Sequence, residues 1–266
     1  MNGRSILKMT IHENYSGQIL WLAFAVGAVT LVLLALLSGS ALNHQERLVD
    51  VASYFLIDIV PLATAVFMGS FLFSRDFSNR GIAEIAIPGG QSRISLFFWR
   101  SFSHSLCLFC LLTILALVRL FAFAIADSWN MAVLHSTLLM IALSTTKTIV
   151  AFSLAAFLGS FARPVIALIG TFGIFGIGHF SSGIQGLHGM IQEAQLATSV
   201  AEELLFKALR IWNPNLLVLE SFRGAWEQPD VRELAMRLAW GASAILIFLS
   251  ASFLGIRKRD IGAFKL

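Results

Sequence analysis

FLFSRDFSNRGIAEIAIPGGQSRISLFFWR, residues 71–100, holds a polar island with apolar runs long enough to cross a bilayer directly on both sides. Within it, Phe77 to Ile87 has room for roughly three helical turns, with Phe77, Gly81, Ile82, Ile85 and Ala86 on one side and Ser78, Asn79, Arg80 and Glu84 on the other. Such a helix lies flat in the membrane interface, where a soluble partner can push on it. Pro88 disfavours helical geometry at Ile87, and Gly89 and Gly90 follow as breakers. The chain therefore turns before Ser92 and Arg93 lead into the next apolar run.

Outward from the island, the chain of 266 residues is 57% apolar and 13% charged, with 23 Phe and a mean hydropathy of +0.80. Soluble domains carry about 25% charged residues, so the composition predicts an all-α, polytopic membrane protein. The formal charge of +4 does not point to nucleic acid, because the basic residues are dispersed among short loops rather than gathered on one face. Arg4 and Lys8 before an apolar run, with small residues from Ser38 to Ala41 after it, have the outline of a signal peptide. The run from Gly17 to Leu37 is about 21 residues, however, longer than a signal core and suited to a full crossing. A retained first span is expected. Cys107 and Cys110, the two cysteines, sit three apart on an apolar helix with no His or carboxylate beside them, which predicts packing rather than a metal or redox site.

One transmembrane domain, 1–266, is predicted, with six spans. Residues 1–16 read as a cytoplasmic interfacial helix, with Ile6, Leu7, Met9 and Ile11 among Arg4, Lys8, His12 and Glu13. Segment 17–74 holds the first two spans, 17–37 and 51–74, joined by a polar outer connection over 38–50; the second carries Asp58 and Pro61. After the island loop, 75–94, segment 95–180 holds three more: 95–126, long enough to tilt or break near Arg119, then 131–160 and 165–180. Segment 181–233 is extracytoplasmic, and in it Met190 to Trp212 reads as an amphipathic or re-entrant helix. Segment 234–266 is the last span, 234–255, stopped by Arg257, Lys258, Arg259 and Asp260. Arg4, Lys8, Arg75, Arg80, Arg93, Arg100, Arg163, Arg257, Lys258, Arg259 and Lys265 all fall on one side of this plan, which makes both termini cytoplasmic in a plasma (inner) membrane.

Two features lie within the spans. Gly170, Gly173 and Gly176 let another backbone approach, as at a helix-packing or dimer seam, or equally permit a kink. Lys147 sits near the middle of its span, where a charge costs several kcal/mol unless paired or hydrated. Asp58 is its candidate partner, although counting from residue 51 places it nearer the outer surface, and His104 can join them in an intramembrane polar cluster. Such a cluster either lines a path for an anionic solute or is a structural ion pair.

Arg75-Asp76, Gly81, Glu84, Pro88 and Ser92-Arg93, in an inner loop between the second and third spans, resemble the permease subunits of type-2 ABC exporters, with Ile82 where that family usually has Thr. Phe253 to Ile261 is similar to the family's closing helix, and Asn213-Pro214 with Glu220 to Gly224 to the segment before it. The resemblance covers nearly the whole chain. It implies a half-transporter whose second copy, or a homologous permease, completes the membrane body. It also implies a separate cytoplasmic ABC ATPase, binding ATP and Mg, docked through the island helix, with Arg75, Asp76, Arg80 and Glu84 as the coupling interface. The chain has no G-x-x-x-x-G-K-[ST] of its own, so no catalytic activity or cofactor is expected in it.

Two other readings have sequence support. The same dimer can carry an ATPase stroke to an extracytoplasmic protein partner without passing a solute, consistent with spans filled by Phe, Leu and Ile. Ala201 to Lys207, with Glu202 and Glu203, resembles the first motif of CAAX-type intramembrane proteases. That family needs later motifs with His, and all six His here precede Glu202.

Overall fold

Ser92 and Asn130 mark where two long helices begin, each for a capping reason. The Ser95 amide donates to Ser92 Oγ at 3.1 Å, and the Val133 amide donates to Asn130 Oδ1 at 2.8 Å, satisfying amides that a helix start leaves open. The structure, a computed structural model, describes residues 45–76, 92–125, 130–176 and 231–263, with isolated positions at 8, 11, 12, 21, 25, 27–29 and 32. Among the described residues every regular element is helical. They are α1 (Gln45–Asp76), α2 (Arg93–Ile125), α3 (Met131–Phe161), α4 (Pro164–Gly176) and α5 (Val231–Ala263). The described positions of the first predicted span, including Trp21, Ala25, Gly27 and Val32, are helical too.

Two helices run past the predicted spans and a third runs through a predicted weak point, for three physical reasons. First, α1 begins at Gln45, inside the expected outer connection, because Gln, Glu, Arg and Leu over 45–48 are good helix formers. Second, α2 runs unbroken past Arg119, whose side chain finds partners inside the bundle. Third, α5 continues through Arg257 to Asp260, because charged residues end a membrane span without ending a helix. Between α3 and α4 the chain turns on Ala162 and Arg163, and Pro164 opens α4, where its missing N–H costs nothing.

Three of these helices are long and apolar enough to cross a membrane: Ile94–Ala124, Met131–Phe161 and Leu234–Gly255. Shorter apolar stretches, Leu56–Leu72 and Pro164–Gly176, lie in α1 and α4. The described residues are thus all-helical, with the hallmarks of a membrane protein.

At the centre stands α3, packed against α1, α2 and α5. Asp58 meets Lys147 and Ser70 meets Gly159, while Thr146 meets Gly241 and Ser160 meets Gly255. Numbers rise together in both sets, so α1, α3 and α5 run in the same direction. By contrast α2 runs against them: Leu72 clusters with Phe97 at the end nearest the island, and Leu56 with Ala122 and Phe123 at the far end.

Helices in lipid gain little from burying apolar surface against one another and depend instead on close packing. Glycines provide it here. A Cβ added at Gly69 would strike the Phe152 carbonyl oxygen, and one at Gly159 would lie 3.0 Å from the Ser70 carbonyl oxygen. Between α1 and α3, then, backbone touches backbone.

Candidate functional site

Lys147 is set by α3 and Asp58 by α1, and the lysine Nζ donates to Asp58 Oδ2 at 2.6 Å. Both side chains are removed from the surface, at 1% and 12% exposure. Along α3, Lys147 lies sixteen residues after Met131 and fourteen before Phe161, about 24 and 21 Å from the two ends. Asp58 is thirteen residues, or about 20 Å, into α1. Its pairing with Lys147 sets Asp58 level with the middle of α3.

The surroundings are apolar and tight. Ile57, beside Asp58, packs with Leu111, Leu112, Leu115 and Met140. Thr148, next to Lys147, is 1% exposed. An ion pair in such a setting gives up hydration at both groups, and the contact between them offsets part of that loss. Chemically the pair can do two things: fix α1 on α3, or open to admit a competing ion when the helices separate.

His104 is placed one layer nearer the island end. Its ring lies 5.7 Å from that of Phe152, centroid to centroid, within the cluster of Ala65, Met68, Leu72, Phe97 and Leu108. Phe152 follows Lys147 by five residues, about 7.5 Å along α3. The structure thus brings Asp58 and Lys147 together and sets His104 against an aromatic ring.

Two buried arginines add to the internal charges among the described residues, and neither was evident as such from sequence. Arg119 is 2% exposed. Its guanidinium donates to Thr137 Oγ1 and, at 3.4 Å, to Ser136 Oγ on α3, and lies 5.1 Å from the centre of the Phe123 ring. Ser136-Thr137, adjacent hydroxyls in an apolar helix, are the signal that could have found this site. Arg100, counted among the charges of one membrane face, is 1% exposed: seven residues into α2, it lies within the bundle. Cys107 is buried and Cys110 half-buried, both as free thiols.

Of the predicted glycine seam, a Cβ at Gly170 would lie 3.3 Å from Leu158 Cδ1, whereas one at Gly173 or Gly176 would meet nothing within 4 Å among the described residues. The tightest approaches fall elsewhere, at Gly69, Gly241 and Gly255. Of the predicted coupling residues, Arg75 and Asp76 are on the last turn of α1, with only their backbone described. Arg80 and Glu84 lie outside the described residues, as do Glu202, Glu203 and segment 177–230.

Compared with protein-family models, curated proteins and solved structures, the chain matches none. The likeness to type-2 ABC exporter permeases therefore rests on the motifs of the chain itself.

Proposed function

We propose that this chain is the membrane-spanning permease subunit of an ABC transporter of the type-2 exporter kind. It has six spans, works as a pair of permeases in the plasma (inner) membrane with both termini cytoplasmic, and couples ATP hydrolysis by a separate subunit to movement of its helices. One observation carries the reading beyond the motifs. The island is flanked by two antiparallel helices of 32 and 33 residues, each about 48 Å or more in length against a bilayer core of roughly 30 Å. Such helices extend past the apolar layer, so a push on segment 77–91 has two stiff arms to act on, one of them packed backbone to backbone on α3.

Co-purification with the candidate ATPase tests this. Wild type is compared with Arg80→Glu plus Glu84→Arg, reading bound ATPase and ATP turnover. Loss of both in the double variant alone is the expected result. A folded wild-type chain that binds no ABC ATPase defeats the reading.

A second reading, in which the stroke passes to an extracytoplasmic partner and no solute crosses, is favoured by the filled interior. Leu108, Leu112, Leu115 and Phe152 are each at most 1% exposed, so a solute path between the described helices around them has no room. Transport then needs a path between two copies. ATP-dependent solute flux in proteoliposomes separates the two readings.

A further inference from the structure

We infer that α1 carries a latched hinge: it bends at the turn 57–61, and the Asp58–Lys147 pair holds that turn closed against α3. The proposed function supplies only the source of a push; the hinge stands on contacts within the chain.

Pro61 lies at the middle of α1, sixteen residues after Gln45 and fifteen before Asp76. Having no N–H, it gives no helical bond to the Ile57 carbonyl, and long helices bend at such points. In the same stretch Thr64 Oγ1 donates to the Val60 carbonyl at 2.8 Å, and a hydroxyl bonded back in this way also favours a bend. Within one turn, then, one carbonyl has lost its place in the helical ladder and another is shared.

Packing changes at the same point. Before Pro61, Leu56 clusters with Ala122 and Phe123, and Ile57 with Leu111, Leu112 and Leu115, all of α2; from α3 these clusters include Val133 and Met140. After it, Val66 clusters with Val150 and Leu154 of α3, and a Cβ at Gly69 would strike the Phe152 carbonyl oxygen. Among the described residues, no apolar cluster holds α1 residues from both sides of Pro61. The island half of α1 is built onto α3 backbone to backbone, whereas the outer half meets α3 through side chains.

Asp58 stands in the weakened turn itself, and the bond it accepts from Lys147 at 2.6 Å pins that turn to the middle of α3. Arg119 binds α2 to α3 separately, through Ser136 and Thr137. With the pair closed, α1 acts as one rod. With the pair released, its outer half tilts while its island half and α2 stay on α3. Glu46 lies fifteen residues from Pro61, about 22 Å, so a bend of about 20° moves it by about 8 Å.

Spin-label distances in the full chain in nanodiscs, with Cys107→Ala and Cys110→Ala, test the hinge. One label pair joins Glu46, in the first turn of α1, to the exposed Met131 of α3. Two more pairs use exposed positions, Phe67 with Phe161 for the island half and Phe121 with Leu138 for α2. The latch is released by Asp58→Leu plus Lys147→Met. The expected result is that the Glu46–Met131 distances spread by about 8 Å while the other two pairs hold, and that adding Pro61→Ala narrows them again. An unchanged Glu46–Met131 distribution, an equal spread at Phe67–Phe161, or no narrowing by Pro61→Ala overturns the proposal. No ATPase is needed, so a chain that binds none counts against the permease reading alone. Amide hydrogen exchange of the unaltered chain gives a second test that does not depend on the folding of a variant. Leu62, Ala63 and Thr64, whose helical acceptors lie at 58, 59 and 60, should exchange about fivefold faster than Val66 to Met68, the factor that one missing hydrogen bond supplies. Equal protection of the two groups also overturns the hinge.

Discussion

A buried charge is an obligation, and at the scale of single residues the Asp58–Lys147 contact shows how it is met. With the lysine 1% exposed, removing the Asp58 carboxylate takes away the counter-charge to which its ammonium donates at 2.6 Å, with little water to replace it. Asp58→Leu alone and Lys147→Met alone should each destabilise the folded protein by about 3 kcal/mol, whereas the two together should recover most of that loss. Thermal unfolding in detergent micelles or nanodiscs reads this directly; equal losses in all three variants would mean the two groups do not compensate each other. Arg119 makes a different demand, because its geometry matters as well as its charge. Arg119→Lys keeps the cation but loses the guanidinium whose Nη1 donates to both hydroxyls and whose carbon lies 5.1 Å from the centre of the Phe123 ring. It should cost about 1–2 kcal/mol by the same measurement, and a neutral result would show the charge alone suffices. Lys147 was legible in the sequence because a lysine amid an apolar run has few options. That Asp58 stands level with it was not, since that depends on how α1 and α3 align, and Arg119 was hidden because its acceptors lie on another helix.

Between helices, what counts is which glycines face a neighbour. The sequence draws attention to Gly170, Gly173 and Gly176 by their regular spacing, yet Gly69, Gly159, Gly241 and Gly255, scattered over three helices, make the tighter contacts. Spacing within one helix cannot reveal this, because a close approach is a property of two helices and their crossing. Helix existence, by contrast, was legible from long apolar runs, and the helix boundaries were not, because charged residues end the membrane layer while propensity carries the helix on. At Gly241 the obstacle is a single methyl, Thr146 Cγ2. Gly241→Ala should therefore destabilise by about 1–3 kcal/mol. Adding Thr146→Ser should restore most of it, since serine lacks that methyl and keeps the hydroxyl that donates to the Ala142 carbonyl at 2.9 Å. Failure of the second change to rescue the first would mean the α3–α5 contact is set by something other than that methyl. Gly173→Ala meets nothing among the described residues and should leave the unfolding midpoint unchanged or slightly higher. A fall in the dimer fraction of the same variant would assign the seam to a second copy.

For the molecule as a whole, the side that faces outward is as informative as the core. On α2 the exposed positions from Ile94 to Ala124 are apolar almost without interruption, among them Phe98, Phe102, Phe109, Leu117 and Phe121. On α5 no charged residue is exposed from Ala235 to Leu254, and only 22% of its apolar window is buried within the chain. A protein in water does not leave such continuous apolar faces uncovered, whereas lipid covers them at no cost. Leu246 is suited to decide the matter: it is 66% exposed and twelve residues into Leu234–Gly255, at the middle of that span. If its face meets lipid, Leu246→Lys places a charge at the centre of the bilayer and should raise the insertion free energy by about 3 kcal/mol. The alkali-resistant membrane fraction should then fall, while Leu246→Phe, equally bulky and apolar, should leave it unchanged. Were the lysine variant to integrate as well as wild type, Leu246 would have to meet water or a polar partner rather than acyl chains. The assignment of α5 as a membrane-facing span would then have to be abandoned before any reading of the stroke that passes through it.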